Sequence, residues 1–298
     1  MPHTVHGLVP ILATPFLPDG SLDLPSLRGL VEFQLASGVD GVAVFGMASE
    51  NFALTAAERA VILREVTSVV AGAVPVVAGV AATSTVTALE QVDAFADASA
   101  LMVLPPFMVK PGPAQLVDFY ASVAAAGLPV MVQDAPGATG VSMPVPLIVE
   151  LAKLPGVTSV KVEAPPTAPK VAAVVDAVAD PEFAVLGGQN AQFCLAEYAG
   201  GAVGTMPACE FPDLLAPVLA NWRARDARAA FTRLLPLILC GLQQGVAWAI
   251  HKEVLVRRGV IAHATVRSPA GTPGRATLAE LDAVLADLSL PPAPGTTR

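Results

Sequence analysis

The stretch "VTSVKVE" (157–163) sets a lysine and a glutamate two residues apart in a run that otherwise reads as a buried β-strand. Side chains alternate between the faces of a strand, so Lys161 and Glu163 share one face while Val160 and Val162 share the other. Only 14% of the 298 residues are charged, so two charges in one apolar strand call for a reason. If both faces of the sheet are covered, the lysine face is an interior, where an isolated ammonium is costly. Desolvation favours the neutral amine, and a neutral amine can attack a carbonyl to form a Schiff base. The competing reading is a buried Lys–Glu ion pair without chemistry, or a strand end where both heads reach water.

Outward from this stretch, short β-branched runs alternate with longer Ala/Leu segments of helical period, with a repeat of about 25 to 35 residues that marks successive βα units. The predicted strands are "GLVPILATPF" (7–16), "GVAVFG" (41–46), "PVVAGVA" (75–81), "LMVLPPF" (101–107), "PVMVQDAP" (129–136), "VTSVKVE" (157–163), "FAVLGGQ" (183–189) and "AVGTMPA" (202–208). Helices are predicted near 24–37, 55–71, 85–98, 113–126, 144–153, 167–179, 191–199 and 211–225, and Thr55 with Glu58 three residues later forms a capping-box pattern. Near-continuous apolar strands imply burial on both faces, as in parallel sheets. Eight such units predict an α/β fold, a closed (β/α)8 TIM barrel, over residues 1–225. The alternative is a doubly wound sheet, but no strand is followed by a phosphate-cradling GxGxxG. Residues 226–298 read as a C-terminal helical extension, with helices over 226–258 and 275–288, a polar stretch at "RSPAGTPGR" (267–275) and a frayed tail, "PPAPGTTR". In a barrel Lys161 and Glu163 fall at the C-terminal end of the sixth strand, the end where such folds build active sites.

Composition bounds the function. Hydrophobic residues reach 54% and the mean hydropathy is +0.62, yet Pro, Gly or a charge interrupts every apolar stretch before the ~20 residues a membrane span needs. The first residues, "MPHTVHGLVPIL", lack a basic region and a small-residue cleavage site, so a cytoplasmic protein is expected. A net charge of −8, with no basic cluster beyond Arg257-Arg258, lacks the electrostatic footprint for nucleic acid. Cys194, Cys209 and Cys240 have no metal-type spacing and read as reduced, buried thiols. His3, His6, His251 and His263 are scattered, which disfavours a metal-dependent aldolase; imine formation requires no cofactor.

In order along the chain, "TPF" followed by "DG", "GVDGVAVFGMASEN", "PVVAGVA", "LPPF", "PVMVQDAPGATG" and "SVKVE" resemble the dihydrodipicolinate synthase / N-acetylneuraminate lyase family, whose members use a barrel lysine on pyruvate or another 2-oxo acid. The resemblance implies that Lys161 forms the Schiff base and that the loop "GMASE" (46–50) holds the substrate carboxylate through backbone N–H groups near Ala48 and Ser49. It also implies a homo-oligomer, a tetramer or a dimer. The chain departs from the family pattern at several points. Met47 and Ala48 replace two threonines, Gln133 replaces a proton-shuttling tyrosine, Ala138 replaces a carboxylate-binding arginine, and Met108 or Phe107 stands where a tyrosine crosses the subunit interface. These departures argue against a lysine-biosynthetic role. Gln133 can hydrogen-bond but cannot shuttle a proton, which leaves Glu163 to manage protons beside the imine. A glutamate two residues after the lysine resembles the sugar-acid branch, in which 2-keto-3-deoxy acids are dehydrated or cleaved.

Other candidates are weighed on their residue type. Gln189 and Asn190 in "GGQN" and Thr205 in "GTMPA" could bind substrate hydroxyls or could satisfy their own loops. Ser49 is placed near the carboxylate, Glu50 as an anchor of its loop, Asp134 on the face opposite Gln133, and Pro105, Pro106 and Pro136 in turns. The expectation is a Schiff-base lyase for a 2-oxo acid, a 2-keto-3-deoxy sugar-acid dehydratase or aldolase. The alternative is a barrel that binds such an acid without turnover.

Overall fold

The structure, a computed structural model, describes residues 5–290. Eight parallel strands occur in chain order: β1 (Gly7–Leu8), β2 (Val42–Val44), β3 (Val76–Val80), β4 (Ala100–Val103), β5 (Val130–Asp134), β6 (Val157–Val162), β7 (Ala184–Gly187) and β8 (Gly204–Thr205). Each of β2 to β8 pairs with its predecessor except β2, and β1 pairs with β8. The ring closes through the segment after β1, where Ile11 bridges both Ala208 and Ala43 and the Leu12 and Ala43 amides donate to Ala43 and Pro10 carbonyls at 2.8 Å. This is the (β/α)8 barrel that the βα repeat predicts.

Two apolar regions account for the strand composition. Val9, Ile11, Ala43, Val77, Ala100, Met102, Met131, Ala184, Leu186 and Met206 fill the barrel interior, and a larger set that includes Leu8, Val44, Val103, Val132, Val160 and Val162 packs against the surrounding helices. Burial on both faces is why these strands carry little polar alternation. The helices follow the predicted positions with earlier ends. Leu24–Ala36, Thr85–Ala94, Pro113–Ala124 and Thr167–Val178 are examples. The capping box is present before Ala56–Val70: the Glu58 amide donates to Thr55 Oγ1 at 3.2 Å and the Thr55 amide to Glu58 Oε2 at 2.9 Å.

Two features differ from the sequence reading. The first predicted strand, 7–16, is regular only over Gly7–Leu8, because Pro10 has no N–H to give to a ladder. Helices Arg225–Cys240, Ala247–Arg257 and Arg275–Leu288 occupy the C-terminal region, but the polar stretch at 267–275 is no free linker. Arg267 donates to both carboxylate oxygens of Glu58, at 2.6 and 2.9 Å, and to the Gly20 carbonyl, and lies over the Phe16 ring. The predicted tail, 291–298, and His3 lie outside the described residues. No helix among the described residues is long and apolar enough to cross a membrane.

Candidate active site

Register determines which side chains enter the barrel. Lys161 is paired with Gln133 on β5 and Leu186 on β7; Leu186 belongs to the interior cluster, so Lys161 and Gln133 point inward with it. Glu163 follows on the same face. Lys161 and Glu163 are 3% and 6% exposed and lie in the wall of a cleft of about 630 Å³, together with Ala48, Gln189 and Ala138. That volume suits a small organic acid.

Among the described residues, the only partner of the Lys161 ammonium is Glu163 Oε1, at 3.4 Å. A charge-assisted hydrogen bond is shorter, about 2.7–2.9 Å, so the pair is loose. Glu163 is more tightly held than the lysine. Gln133 Nε2 donates to its Oε2 at 2.7 Å, the Gln189 amide approaches Oε1 at 3.4 Å, and Gln189 Nε2 donates to the Glu163 carbonyl at 2.9 Å. The carboxylate is thus fixed beside a loosely paired amine. The glycine at 188 makes room: a Cβ there would overlap the Glu163 side chain.

The turn that carries Gln189 is itself held in an unusual shape. Gln189, Asn190 and Ala191 all have φ between 50° and 61°, left-handed values that cost non-glycine residues roughly 1–3 kcal/mol each. Asn190 offsets this by accepting from the Ala208 amide at 2.9 Å and donating to the Ile238 carbonyl at 3.1 Å. Its side chain therefore works on the backbone while Gln189 grips Glu163.

At the end of β2, the 3-10 turn Met47–Ser49 spends the Ser49 and Glu50 amides on Gly46 and Met47 carbonyls. Ala48 faces the cleft. Ser49 is buried behind it; its carbonyl accepts from Thr14 Oγ1 at 2.7 Å and its own hydroxyl has no partner. Glu50 anchors the turn as expected: it pairs with the fully buried Lys252 and accepts from the Arg267 amide at 3.0 Å. Burial lowers the Lys252 pKa, and Glu50 opposes that shift.

Thr205 requires a correction. It is registered with Leu8 and Gly187, both on the outward face: Leu8 packs in the outer cluster, and a Cβ on Gly187 would overlap Glu197, a residue of helix Cys194–Ala199. Thr205 therefore faces the helices and cannot meet a ligand in the cleft. Gln133 touches Glu163 but is not part of the cleft wall. Asp134 points outward, as expected, and pairs with Lys170 at 2.6 Å.

The C-terminal helices contribute residues that sequence reasoning missed. Trp248 donates from Nε1 to the Met47 carbonyl at 2.6 Å and packs edge-on against Phe52. His251, read from sequence only as one of four scattered histidines, lies in the cleft wall with Nδ1 2.7 Å from Glu210 Oε1. Helical periodicity marks which face of such a helix is buried but not which end of the barrel it covers.

Comparison with known proteins agrees with this arrangement. The chain is 35% identical over 289 residues to the L-2-keto-3-deoxyarabonate dehydratase of Azospirillum brasilense, covering 93% of both chains. It is 34% identical over 269 residues to the 4-hydroxy-tetrahydrodipicolinate synthase of Xanthomonas axonopodis pv. citri, covering 87% of each. Among solved structures it is similar to a dihydrodipicolinate synthase from Rhodopseudomonas palustris, with a TM-score of 0.89 and 26% identity over 96% of this chain and 98% of the other. It is also similar to an E. coli K12 prophage protein of the dihydrodipicolinic acid synthase family in complex with pyruvate, with a TM-score of 0.88 and 25% identity over 96% and 99% of the two chains. The model of the dihydrodipicolinate synthetase family matches residues 4–288, and with a parallel barrel that carries a buried lysine at its sixth strand, the chain belongs to that family of lyases.

Proposed function

We propose that the protein is a Schiff-base lyase for a 2-oxo acid, and specifically a dehydratase of a 2-keto-3-deoxy sugar acid. The observation that carries the reading is the loosely paired Lys161 beside a fixed carboxylate, Glu163. Lys161, once it is the free amine, attacks the C2 carbonyl, and loss of water with uptake of one proton gives the cationic imine. The cationic imine acidifies C3. Glu163, held by Gln133 and Gln189, accepts the C3 proton, and the C4 hydroxyl departs as water once it has received a proton. Hydrolysis of the imine releases the 2-oxo product and restores the amine. The amide of Ala48, in the turn Met47–Ser49, binds the substrate carboxylate.

Two observations favour a sugar acid over the dihydrodipicolinate synthase reaction. Gln133 has no exchangeable acid–base proton, and at position 138 the cleft offers alanine, so no cationic side chain there meets a second carboxylate. The relative from Azospirillum acts, by its name, on such a sugar acid. Aldol cleavage of the C3–C4 bond begins from the same imine, and binding without turnover is the remaining alternative. An oligomer of this chain is also proposed, with Met108 and Val109, 76% and 80% exposed, as residues it buries; light scattering on the purified protein tests that.

Borohydride reduction in the presence of pyruvate or a 2-keto-3-deoxy pentonate, followed by peptide mass mapping, tests the function. A reduced adduct on Lys161, absent from Lys161→Ala, is expected; no adduct with either compound overturns the lyase reading. Glu163→Gln separates enzyme from binder. Turnover falls by about 10²–10⁴-fold if Glu163 moves the proton, with the adduct retained, whereas unchanged turnover removes Glu163 from the mechanism.

A further inference from the structure

The mechanism above leaves the proton for the departing hydroxyl without a source, and the cleft contains a second pair of buried titratable groups. His251, on helix Ala247–Arg257, is 5% exposed and lines the cleft. Its Nδ1 is 2.7 Å from Glu210 Oε1. A carboxylate accepts, so Nδ1 carries the proton and Nε2 is the nitrogen left for another partner. No protein group bonds Nε2 among the described residues.

Glu210 has no evident purpose except this one. It is 1% exposed and its Oε2 has no partner among the described residues. Arg258 is close at hand but gives its hydrogen bonds to the Glu210 carbonyl, at 2.7 Å, and to the Asp213 carboxylate, at 2.7 and 2.9 Å. The Lys252 ammonium, next in sequence, goes to Glu50 and to the Thr265 carbonyl. The neighbouring Cys209 thiol is pushed up to about 12, by burial first and then by Glu210, so it supplies no charge near neutrality. A carboxylate buried with a single histidine for a partner is costly, and what it provides is a fixed ring orientation and support for an imidazolium.

The ring also lies close to the turn that holds Glu163. His251 Cε1 and Nδ1 and Asn190 Nδ2 all crowd the position that a Cβ on Gly241 would take. Asn190 directly follows Gln189, whose amide faces Glu163. His251 and Glu163 therefore both lie beside the same left-handed turn and both line the cleft.

We infer that His251, oriented by Glu210, donates the proton that turns the substrate's C4 hydroxyl into leaving water. The inference rests on the dehydratase reading. In the balanced step, Glu163 gains the C3 proton, the C3–H electron pair becomes the π bond of the new C3=C4 double bond, the C4–O pair leaves with oxygen, and His251, acting from its doubly protonated form, passes its Nε2 proton to that oxygen. Solvent returns a proton to His251 and removes one from Glu163.

Three measurements on one set of proteins separate this from the underlying reading. Borohydride trapping with pyruvate reports the imine, deuterium exchange into the pyruvate methyl group reports C3 deprotonation, and elimination from a 2-keto-3-deoxy pentonate reports loss of the hydroxyl. Pyruvate has no C4 oxygen, so His251→Gln is expected to keep trapping and exchange within about threefold of the wild type while elimination falls about 100-fold or more. Gly241→Ala keeps the histidine but displaces its ring, and elimination is expected to fall about tenfold, again with exchange retained. Glu210→Gln keeps a hydrogen-bond acceptor for Nδ1 without the charge, and should lower kcat about tenfold at unchanged KM. Elimination within about threefold of the wild type in His251→Gln overturns the inference, and so does a parallel fall in exchange, which would assign His251 to C3 chemistry or to folding. Absence of a wild-type adduct sinks the lyase reading instead, so the two failures are distinguishable.

Discussion

The wall formed by β5 and β6 carries a lysine–carboxylate pair on each of its faces, and the two pairs differ. On the outer face, Lys170 lies 2.6 Å from Asp134 and also donates to the Met143 carbonyl at 2.8 Å. On the inner face, the Lys161 ammonium has, among the described residues, one polar partner, at 3.4 Å, a carboxylate that Gln133 and Gln189 also hold. Gln133 and Asp134 are neighbours in sequence, yet each serves a different pair because the strand sends them to opposite faces. Both carboxylates are buried, and Lys170 is somewhat more exposed than Lys161. The difference lies in satisfaction: the outer ammonium has its needs met, and the inner one has a proton acceptor next to it and room in front of it. Burial of a lysine therefore says little about chemistry until its partners are counted.

The largest expected effect is on the inner pair. Lys161→Ala should abolish adduct formation and reduce turnover by at least about 10⁴-fold, with little change in the urea unfolding midpoint. An unfolding midpoint that collapses with activity would make Lys161 structural after all. The outer pair should show the reverse. Lys170→Met leaves Asp134 unpaired, and because the lysine is slightly exposed the loss should be near the lower end for a buried pair, about 3 kcal/mol. The folded fraction should keep near-normal kcat, and a kcat loss larger than the stability loss would erase the distinction between the faces.

Glu197 gives a smaller, pH-dependent test on the outer face of β7. Thr167 Oγ1 donates to its Oε1 at 2.6 Å, but Oε2 has no partner among the described residues. Burial pushes its carboxyl up to about 7, with Thr167 opposing the shift and the Glu163 charge adding to it. The raised folded value means that the native state binds more protons than the unfolded chain between pH 4.5 and about 7. Stability should fall as pH rises through that window, by on the order of 3 kcal/mol in all. Urea titrations at several pH values should show Glu197→Gln flattening this decline; parallel curves for the variant and the wild type would contradict it. The smallest effect is expected at Thr205. Its buried hydroxyl has no partner and faces away from the cleft, so Thr205→Val should leave kcat/KM within about twofold and stability equal or slightly higher.

Thr205 also shows where sequence reading lost its grip. The spacing of Lys161 and Glu163 sufficed to put both on one face, because β6 is six residues long and its valines define the alternate face. β8 has two regular residues, too few for alternation to announce which side faces in, and only the register with Leu8 and Gly187 settles it. The barrel was legible because eight βα units repeat along the chain. The capping box at Thr55 was legible because its partners are three residues apart. Trp248, His251 and Arg267 were not, because the groups they meet are at Met47, at Glu210 and at Glu50 and Glu58, up to 217 positions away. No local period encodes such meetings.

That distance has a consequence for the order in which a new chain becomes competent. All eight strands have been synthesised once residue 205 is made, and domains begin to form N-terminal part first. The turn at 47–49, however, gains its Trp248 hydrogen bond, and Glu50 its Lys252 and Arg267 partners, only when roughly forty to sixty further residues have emerged. Until then a nascent barrel would hold Lys161 in place with the 47–49 turn of its cleft unfastened, so assembly of the site waits for the helices that follow the barrel and not only for closure of the barrel.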